Sequence, residues 1–312
     1  MFLQGQKVGK YEIIRSLGSG GFGSVLLAKD TWLDIKVAIK VPHKQSQELF
    51  KLLKEPRLQA ALNHPNIVRM IAAEKENKTF FMVMEYVRGK TLEKILVKEK
   101  ILSIEQALDY TKQICAGVDH AHKNKIIHRD LRPSNIMVSE EGTIKITDFG
   151  TSAWLQNVPY ASTRIGSPPY MAPEQFQGKA TFASDIYSIG CILYEMIIGR
   201  PPICDPDPFK ILEKAQEGKI TPPRLKNMKV PRELDGIIMT CLASKVEDRY
   251  QRPYEILRAL SDIRGEKHNK SEIEDILGRI RAREQSAAEV CWNCRRHLPP
   301  RAKACPYCGE VL

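Results

Sequence analysis

Gly18-Ser19-Gly20-Gly21-Phe22-Gly23 sets four glycines between two runs of β-branched and aliphatic residues. A backbone without side chains can approach phosphate oxygens closely and adopt dihedrals closed to other residues. The pattern alone is shared with dinucleotide-binding turns and with plain glycine hairpins. A dinucleotide site wants a helix after the glycines, whereas Ser24-Val25-Leu26-Leu27-Ala28 has the character of a strand. Further on, Val37-Ala38-Ile39-Lys40 ends an apolar strand in an ammonium group, which is costly to bury unless it meets an anion. A second constellation stands near the other end: Cys291 and Cys294, ten residues, then Cys305 and Cys308 followed by Gly309. Paired thiolates at this spacing suit tetrahedral Zn2+, and Gly309 permits a tight turn after the second pair. Two disulfides or a redox dithiol are the alternatives. The first fits poorly with a reducing compartment, and the second needs no duplicate. Four thiolate ligands make a closed, structural site. The 22 residues from Cys291 to Leu312 bury too little apolar surface to fold unaided, and ligation of a structural zinc supplies on the order of 10 kcal/mol.

These groups need a scaffold. The 312 residues suggest two domains, or three at most, at about 150 residues each. With 43% hydrophobic and 27% charged residues, the composition is that of a soluble globular protein and excludes wholesale disorder. Strand-like segments Tyr11–Leu17, Ser24–Asp30, Lys36–Val41 and Phe80–Tyr86 fill the first 90 residues, with a helical period over Gln47–Leu62. Helical patterns dominate from Thr91, as at Ile104–His122, Ser184–Ile198 and Tyr254–Ile263, around a loop-rich middle, His128–Ala172. A small β-rich part before a large α-rich part is an α+β arrangement of two lobes. Gly265–Ser271 is polar and reads as a linker, Glu272–Ala287 has the charge pattern of a helix, and the cysteine module follows. The expected domains are therefore 11–264, with lobes of about 11–86 and 87–264, a linker at 265–288 and a zinc ribbon at 289–312. No run reaches the roughly 18 apolar residues of a membrane span; Ile186–Ile198 is too short and contains Glu195. The opening MFLQGQKVGK lacks an apolar signal region, so a cytoplasmic setting is expected, with Cys115, Cys191, Cys204 and Cys241 reduced. The net charge of +11 is spread along the chain, which favours a generally basic surface over a dedicated nucleic-acid groove.

Gly18–Val25, then Val37-Ala38-Ile39-Lys40, His128-Arg129-Asp130-Leu131-Arg132-Pro133-Ser134-Asn135, Asp148-Phe149-Gly150 and Ala172-Pro173-Glu174 stand in the order of the protein kinase signatures. Over about residues 10–263 the chain resembles the soluble, eukaryotic-like serine/threonine kinases of prokaryotes. The resemblance implies the bilobal protein-kinase fold, a small β-rich N-lobe and a large α-helical C-lobe, using ATP with Mg2+ or Mn2+. It also implies roles. Gly18, Ser19, Gly20, Gly21, Phe22 and Gly23 would cover the phosphates. Lys40 would hold the α- and β-phosphates and pair with a helix glutamate, for which Glu55 is the candidate, nine residues before His64. Val25 and Ala38 would roof the adenine, Met137 would lie beneath it, Met84 would be the gatekeeper, and backbone groups of Glu85 and Val87 would meet its edge. Asp130 would orient the incoming hydroxyl and accept its proton. Asn135 and Asp148 offer oxygen ligands suited to a hard cation.

Arg132 departs from the lysine that most serine/threonine kinases carry at its place. Arginine keeps the charge but changes geometry and reach, so activity should survive at a reduced level. Pro133-Ser134-Asn135 and Ser167 resemble the serine/threonine class and point to a Ser or Thr acceptor. Glu174 with Arg249, and Asp185 beneath the catalytic loop, would be structural. Thr151–Met171 would be the activation segment, answered by Arg129, with Thr163 as the first choice for autophosphorylation and Ser162 as the second. Pro56 follows Glu55 directly, so either the helix begins here with proline in its first turn or it is kinked. The expectation drawn from it is a Lys40–Glu55 pair poorly formed at rest and a switchable activity. Protein substrates are implied, with docking or dimerisation through the ribbon. Arg295, Arg296, His297, Arg301 and Lys303 leave nucleic acid open but not favoured, since Trp292 and Tyr307 alone offer aromatic faces there. The rival reading is a pseudokinase scaffold that binds ATP and docks partners through the ribbon. A small-molecule phosphotransferase would not need the peptide platform of Gly166–Glu174.

Overall fold

The structure, a computed structural model, describes residues 2–20, 23–43, 45, 53–76, 78–149 and 167–263, together with 304 and 306. The chain divides into two compact units, Met1–Ile263 and Arg264–Leu312. Apart from 304 and 306 the second unit lies outside the described residues, and with it Cys291, Cys294, Cys305 and Cys308.

In the first unit, β1 (Lys7–Val8), β2 (Tyr11–Gly20), β3 (Gly23–Asp30) and β4 (Ile35–Pro42) precede α1 (Lys54–Ala60), β5 (Met70–Glu76) and β6 (Thr79–Glu85). They form an antiparallel sheet in the order β1-β2-β3-β4-β6-β5. The run Phe80-Phe81-Met82-Val83-Met84 is apolar throughout because both of its faces are covered. Phe81 and Val83 join Phe2, Tyr11, Ile13, Val37 and Ile39 in one core, while Phe80 and Met82 meet Leu53 and Met70 on the other face. The β4–β6 register sets Ala38 opposite Met84 and Lys40 opposite Met82. The β5 strand, Met-Ile-Ala-Ala-Glu-Lys-Glu, carries the polarity of a sheet edge and has no strand signature of its own.

After β6 come β7 (Gly89–Thr91), α2 (Leu92–Glu99) and α3 (Ile104–Lys123), then β8 (Ile136–Ser139) and β9 (Ile144–Ile146). The last two strands are the short apolar runs of the loop-rich middle, and with β7 they make a second, three-stranded antiparallel sheet. Helices α4 (Phe182–Ile198), α5 (Pro208–Gln216), α6 (Pro223–Lys226), α7 (Arg232–Cys241) and α8 (Pro253–Ile263) complete the lobe. Ser103 caps α3 by accepting from Gln106 N, and Thr91 caps α2 by accepting from Lys94 N. Almost every residue of α4 is buried, which its near-uniform apolar sequence requires. It stops at Gly199, whose φ of +85° is the left-handed conformation that glycine adopts without strain. Among the described residues no helix is long and apolar enough to cross a membrane.

Candidate active site

The expected helix Gln47–Leu62 is described only from Lys54 to Ala60, with residues 46–52 outside the described part. Pro56 sits in the first turn of α1, where its missing N–H takes nothing from the helix. Glu55 is therefore free to point at β4, and Lys40 Nζ lies 2.7 Å from Glu55 Oε1. This corrects the expectation of a poorly formed pair at rest: the pair is made, and the proline does not prevent it. The same ammonium stands 2.6 Å from Asp148 Oδ1. Burial would push the Lys40 ammonium down, but Asp148 and Glu55 outweigh it and hold its pKa above the usual range. Burial would likewise raise Asp148, and the charge and hydrogen bond of Lys40 reverse this and hold it below the usual carboxylate value. Both groups are thus kept ionised.

Gly18, Ser19, Gly20 and Gly23 lie at the β2–β3 hairpin end, where Gly20 pairs with Gly23, Ser19 with Ser24 and Gly18 with Val25. Gly21 and Phe22, expected at its tip, lie outside the described residues. A Cβ on Gly23 would collide with the Val41 carbonyl, so the close approach of β3 to β4 here admits only glycine. His43 Nε2 meets the Gly20 carbonyl at 2.9 Å and steadies this end of the hairpin. Val25 is paired with Lys40 on β4, and Met137 is half-buried in β8. The side chain of Glu85 accepts from Arg69 N at 2.8 Å and from Lys145 Nζ at 2.7 Å, tying the segment that Val87 continues to both lobes.

Between α3 and β8, Asp185 of α4 accepts the backbone N–H groups of His128 (2.8 Å) and Arg129 (2.9 Å), as well as His122 Nε2 (2.8 Å). These bonds hold Arg129 at φ +65°, and Asp148 takes φ +64° nearby; neither is a comfortable conformation for a side-chain-bearing residue. Asn135 Nδ2 donates to Asp130 O (2.8 Å) and Asp130 Oδ2 (3.1 Å), which leaves the amide oxygen for a cation. Thr147 N donates to Asn135 O at 2.9 Å, so Asp148 follows a residue bound directly to Asn135. An amide oxygen and an ionised carboxylate brought together in this way fit a hard divalent cation. Burial raises the Asp130 pKa, opposed by Arg132, His128, Asn135 and Ser167, which makes it a stronger proton acceptor than an exposed aspartate.

Arg132 Nη1 donates to Ser167 Oγ at 2.7 Å, and Ser167 Oγ donates to Asp130 Oδ1 at 3.3 Å. Arg132 Nε lies 3.8 Å from Asp130 Oδ2 and, though buried, has no hydrogen-bond partner among the described residues. The sequence offered Ser167 as a mark of acceptor class only; its bond to Asp130 joins residues 37 apart and has no local signal. His122 was missed altogether, because a helix-end histidine carries no sign of its long-range carboxylate. Thr163 and Ser162 lie outside the described residues.

Residues 11–259 match the protein kinase domain family. A "probable serine/threonine-protein kinase" of Clostridium acetobutylicum is 36% identical over 270 residues, covering 84% of this chain and 41% of that protein. The serine/threonine-protein kinase PrkC of Bacillus subtilis is 34% identical over 250 residues, 78% of this chain and 39% of its own. For PknB of Mycolicibacterium smegmatis, also a serine/threonine-protein kinase, the figures are 34%, 255 residues, 78% and 41%. The chain spans about two fifths of the length of these curated relatives.

Proposed function

The chain belongs to the protein kinase domain family, and from that premise we propose that it transfers the γ-phosphate of ATP to serine or threonine hydroxyls of protein substrates. The observation that carries the reading is the joining of Lys40, Glu55 and Asp148 by bonds of 2.6–2.7 Å, with Asp130 and Asn135 held on one loop. Phosphoryl transfer asks for positioning and for cations where charge spreads over the transferred group. Lys40 would anchor the α- and β-phosphates, and Asn135 and Asp148 would hold Mg2+ or Mn2+. When bound, the metal neutralises the charge developing on the phosphate oxygens. Asp130 orients the acceptor hydroxyl and takes its proton as the new O–P bond forms and the β–γ bridge breaks. Arg132, fixed by Ser167, offers its guanidinium edge to the transferred group. The likeness to proteins named as serine/threonine-protein kinases, with Ser167 at the place where that class carries Ser or Thr, supports Ser or Thr as acceptor. A scaffold without catalysis is the weaker reading, since its sequence would not need Lys40, Asp130, Asn135 and Asp148 together.

The spacing of Cys291, Cys294, Cys305 and Cys308 supports a structural zinc ribbon at 289–312, beyond a linker at 265–288 and a kinase domain at 11–264. Protein docking or dimerisation is its proposed use, autophosphorylation at Thr163 or Ser162 the proposed control, and the cytoplasm the proposed setting. Radiolabel transfer from ATP tests the central reading with the wild type, Asp130→Asn and a form ending at residue 264. The expected result is label on serine or threonine with the wild type and the shortened form, and none with Asp130→Asn. Label that persists in Asp130→Asn contradicts the assigned chemistry. Loss of label on shortening alone would make the ribbon a regulator. Stoichiometric zinc that disappears in Cys291→Ser supports the ribbon, and zinc-free full-length protein overturns it.

A further inference from the structure

Gln59 is a carboxamide with only 1% of its surface exposed. It lies four residues after Glu55 on α1 and so on the same face of the helix. Its Nε2 donates to the Val68 carbonyl at 3.1 Å and stands 3.7 Å from Met84 Sδ. A buried amide is tolerated only with partners of this kind, because an unpaired donor at such depth is expensive. An aliphatic side chain would fill the space without that requirement, so the carboxamide calls for a reason.

The other side of Val68 supplies one. Val68 N donates to Ile146 O at 2.9 Å, two residues before Asp148, which reaches Lys40 at 2.6 Å. Lys40 in turn meets Glu55 at 2.7 Å. The circuit closes: Lys40 to Glu55, along one turn of α1 to Gln59, across to Val68, on to Ile146 and Asp148, and back to Lys40. The described helix has seven residues, and Pro56 contributes no backbone donor to it. So short a helix has little stability of its own and takes its place from what it is tied to.

We propose that Gln59 is a positioning residue that locks α1 with Glu55 against Lys40, and that it acts on the reaction only through that pair. The proposal rests on the kinase reading and deepens it. Gln59→Met keeps the length of the side chain and removes the donor. Radiolabel transfer from ATP with the full chain should show kcat lowered about tenfold, the scale of one lost buried hydrogen bond. The KM for the protein substrate should be unchanged. In a Glu55→Gln background the same substitution should cost less than about twofold, because the group through which it works is already gone. An equal loss in both backgrounds, or no loss in either, overturns the proposal. Gln59→Leu, apolar and without a donor, serves if the methionine variant does not fold. Hydrogen exchange of the 54–60 amides without nucleotide should be faster in the variant, while β6 is unaffected. That readout needs no catalysis: an inactive wild type would end the kinase reading, whereas unaltered exchange ends this one.

Discussion

Arg249, with five donated bonds among the described residues, gives the account its sharpest stability test. Its side chain has no exposed surface, and it forks onto Glu174 with Nη1–Oε1 at 2.8 Å and Nη2–Oε2 at 3.0 Å. It also donates to the carbonyls of Ala243, Ala183 and Ser244 at 2.7, 3.2 and 3.0 Å, and its guanidinium lies 5.0 Å from the centre of the Tyr187 ring. Arg249→Met removes all five donated bonds and strands the Glu174 carboxylate, which is only 13% exposed and keeps Ser184 Oγ at 2.6 Å. Breaking a buried pair from one side costs about 3–5 kcal/mol, a large part of the roughly 5–15 kcal/mol that holds a domain together. With a urea slope of about 3 kcal/mol per molar for a domain of this size, the midpoint should fall by about 1–1.7 M at unchanged slope. Glu174→Gln should cost nearly as much, since it leaves a guanidinium buried without its anion. The double variant should be less damaged than the sum of the two by about 2 kcal/mol. Single losses below about 1 kcal/mol, or strict additivity, would refute the view that this pair holds the platform following the catalytic loop.

Three further outcomes follow from the geometry. Arg132→Met should lower kcat/KM by about 10- to 100-fold, the scale of a charged hydrogen bond. It should also move the acidic limb of the pH–rate profile to higher pH, because Arg132 opposes the burial that raises Asp130; Arg132→Lys should leave the limb in place, and a limb that stays put in both contradicts this. Burial, with His120 and Lys123, holds the His64 pKa down to about 4 from 6.5. The unfolded chain therefore binds the extra proton between those values, and stability, complete above pH 6.5, should fall by about 1–2 kcal/mol on acidification to pH 4, with solvent screening of the partly exposed ring allowed for; urea titrations of His64→Asn should lack that component. Pro56→Ala should leave the basal rate unchanged and shift stability by no more than about 1 kcal/mol, since the proline sits in the first helical turn; a several-fold rate change argues against the assigned helix start.

What could be read in advance followed from local chemistry. Glycines at a hairpin, an ammonium closing an apolar strand, and the acids flanking Asn135 each announce themselves by residue type and spacing, and the structure gathers them. Strands with continuous apolar runs, such as Phe80–Met84, were equally plain. The edge strand Met70–Glu76 was not, because its last three residues are charged, two more are alanines, and its order comes from pairing with β6. The fate of Pro56 turned on where the helix starts, and helix ends are the least determined feature of a sequence. Bonds between distant residues were out of reach altogether: His122 to Asp185 spans 63 positions, and Arg132 to Ser167 spans 35. Hydrophobic period and turn chemistry specify which elements form, whereas which polar side chains meet depends on how those elements dock.

Titration calorimetry of the full chain with magnesium and ATP bears most directly on the proposal that Lys40, Asn135 and Asp148 together receive a metal-bound triphosphate. The account predicts heat of binding at one site per chain, dependent on the divalent ion and weakened about tenfold or more in Asp148→Asn. No heat, or heat indifferent to both the ion and Asp148, would contradict it.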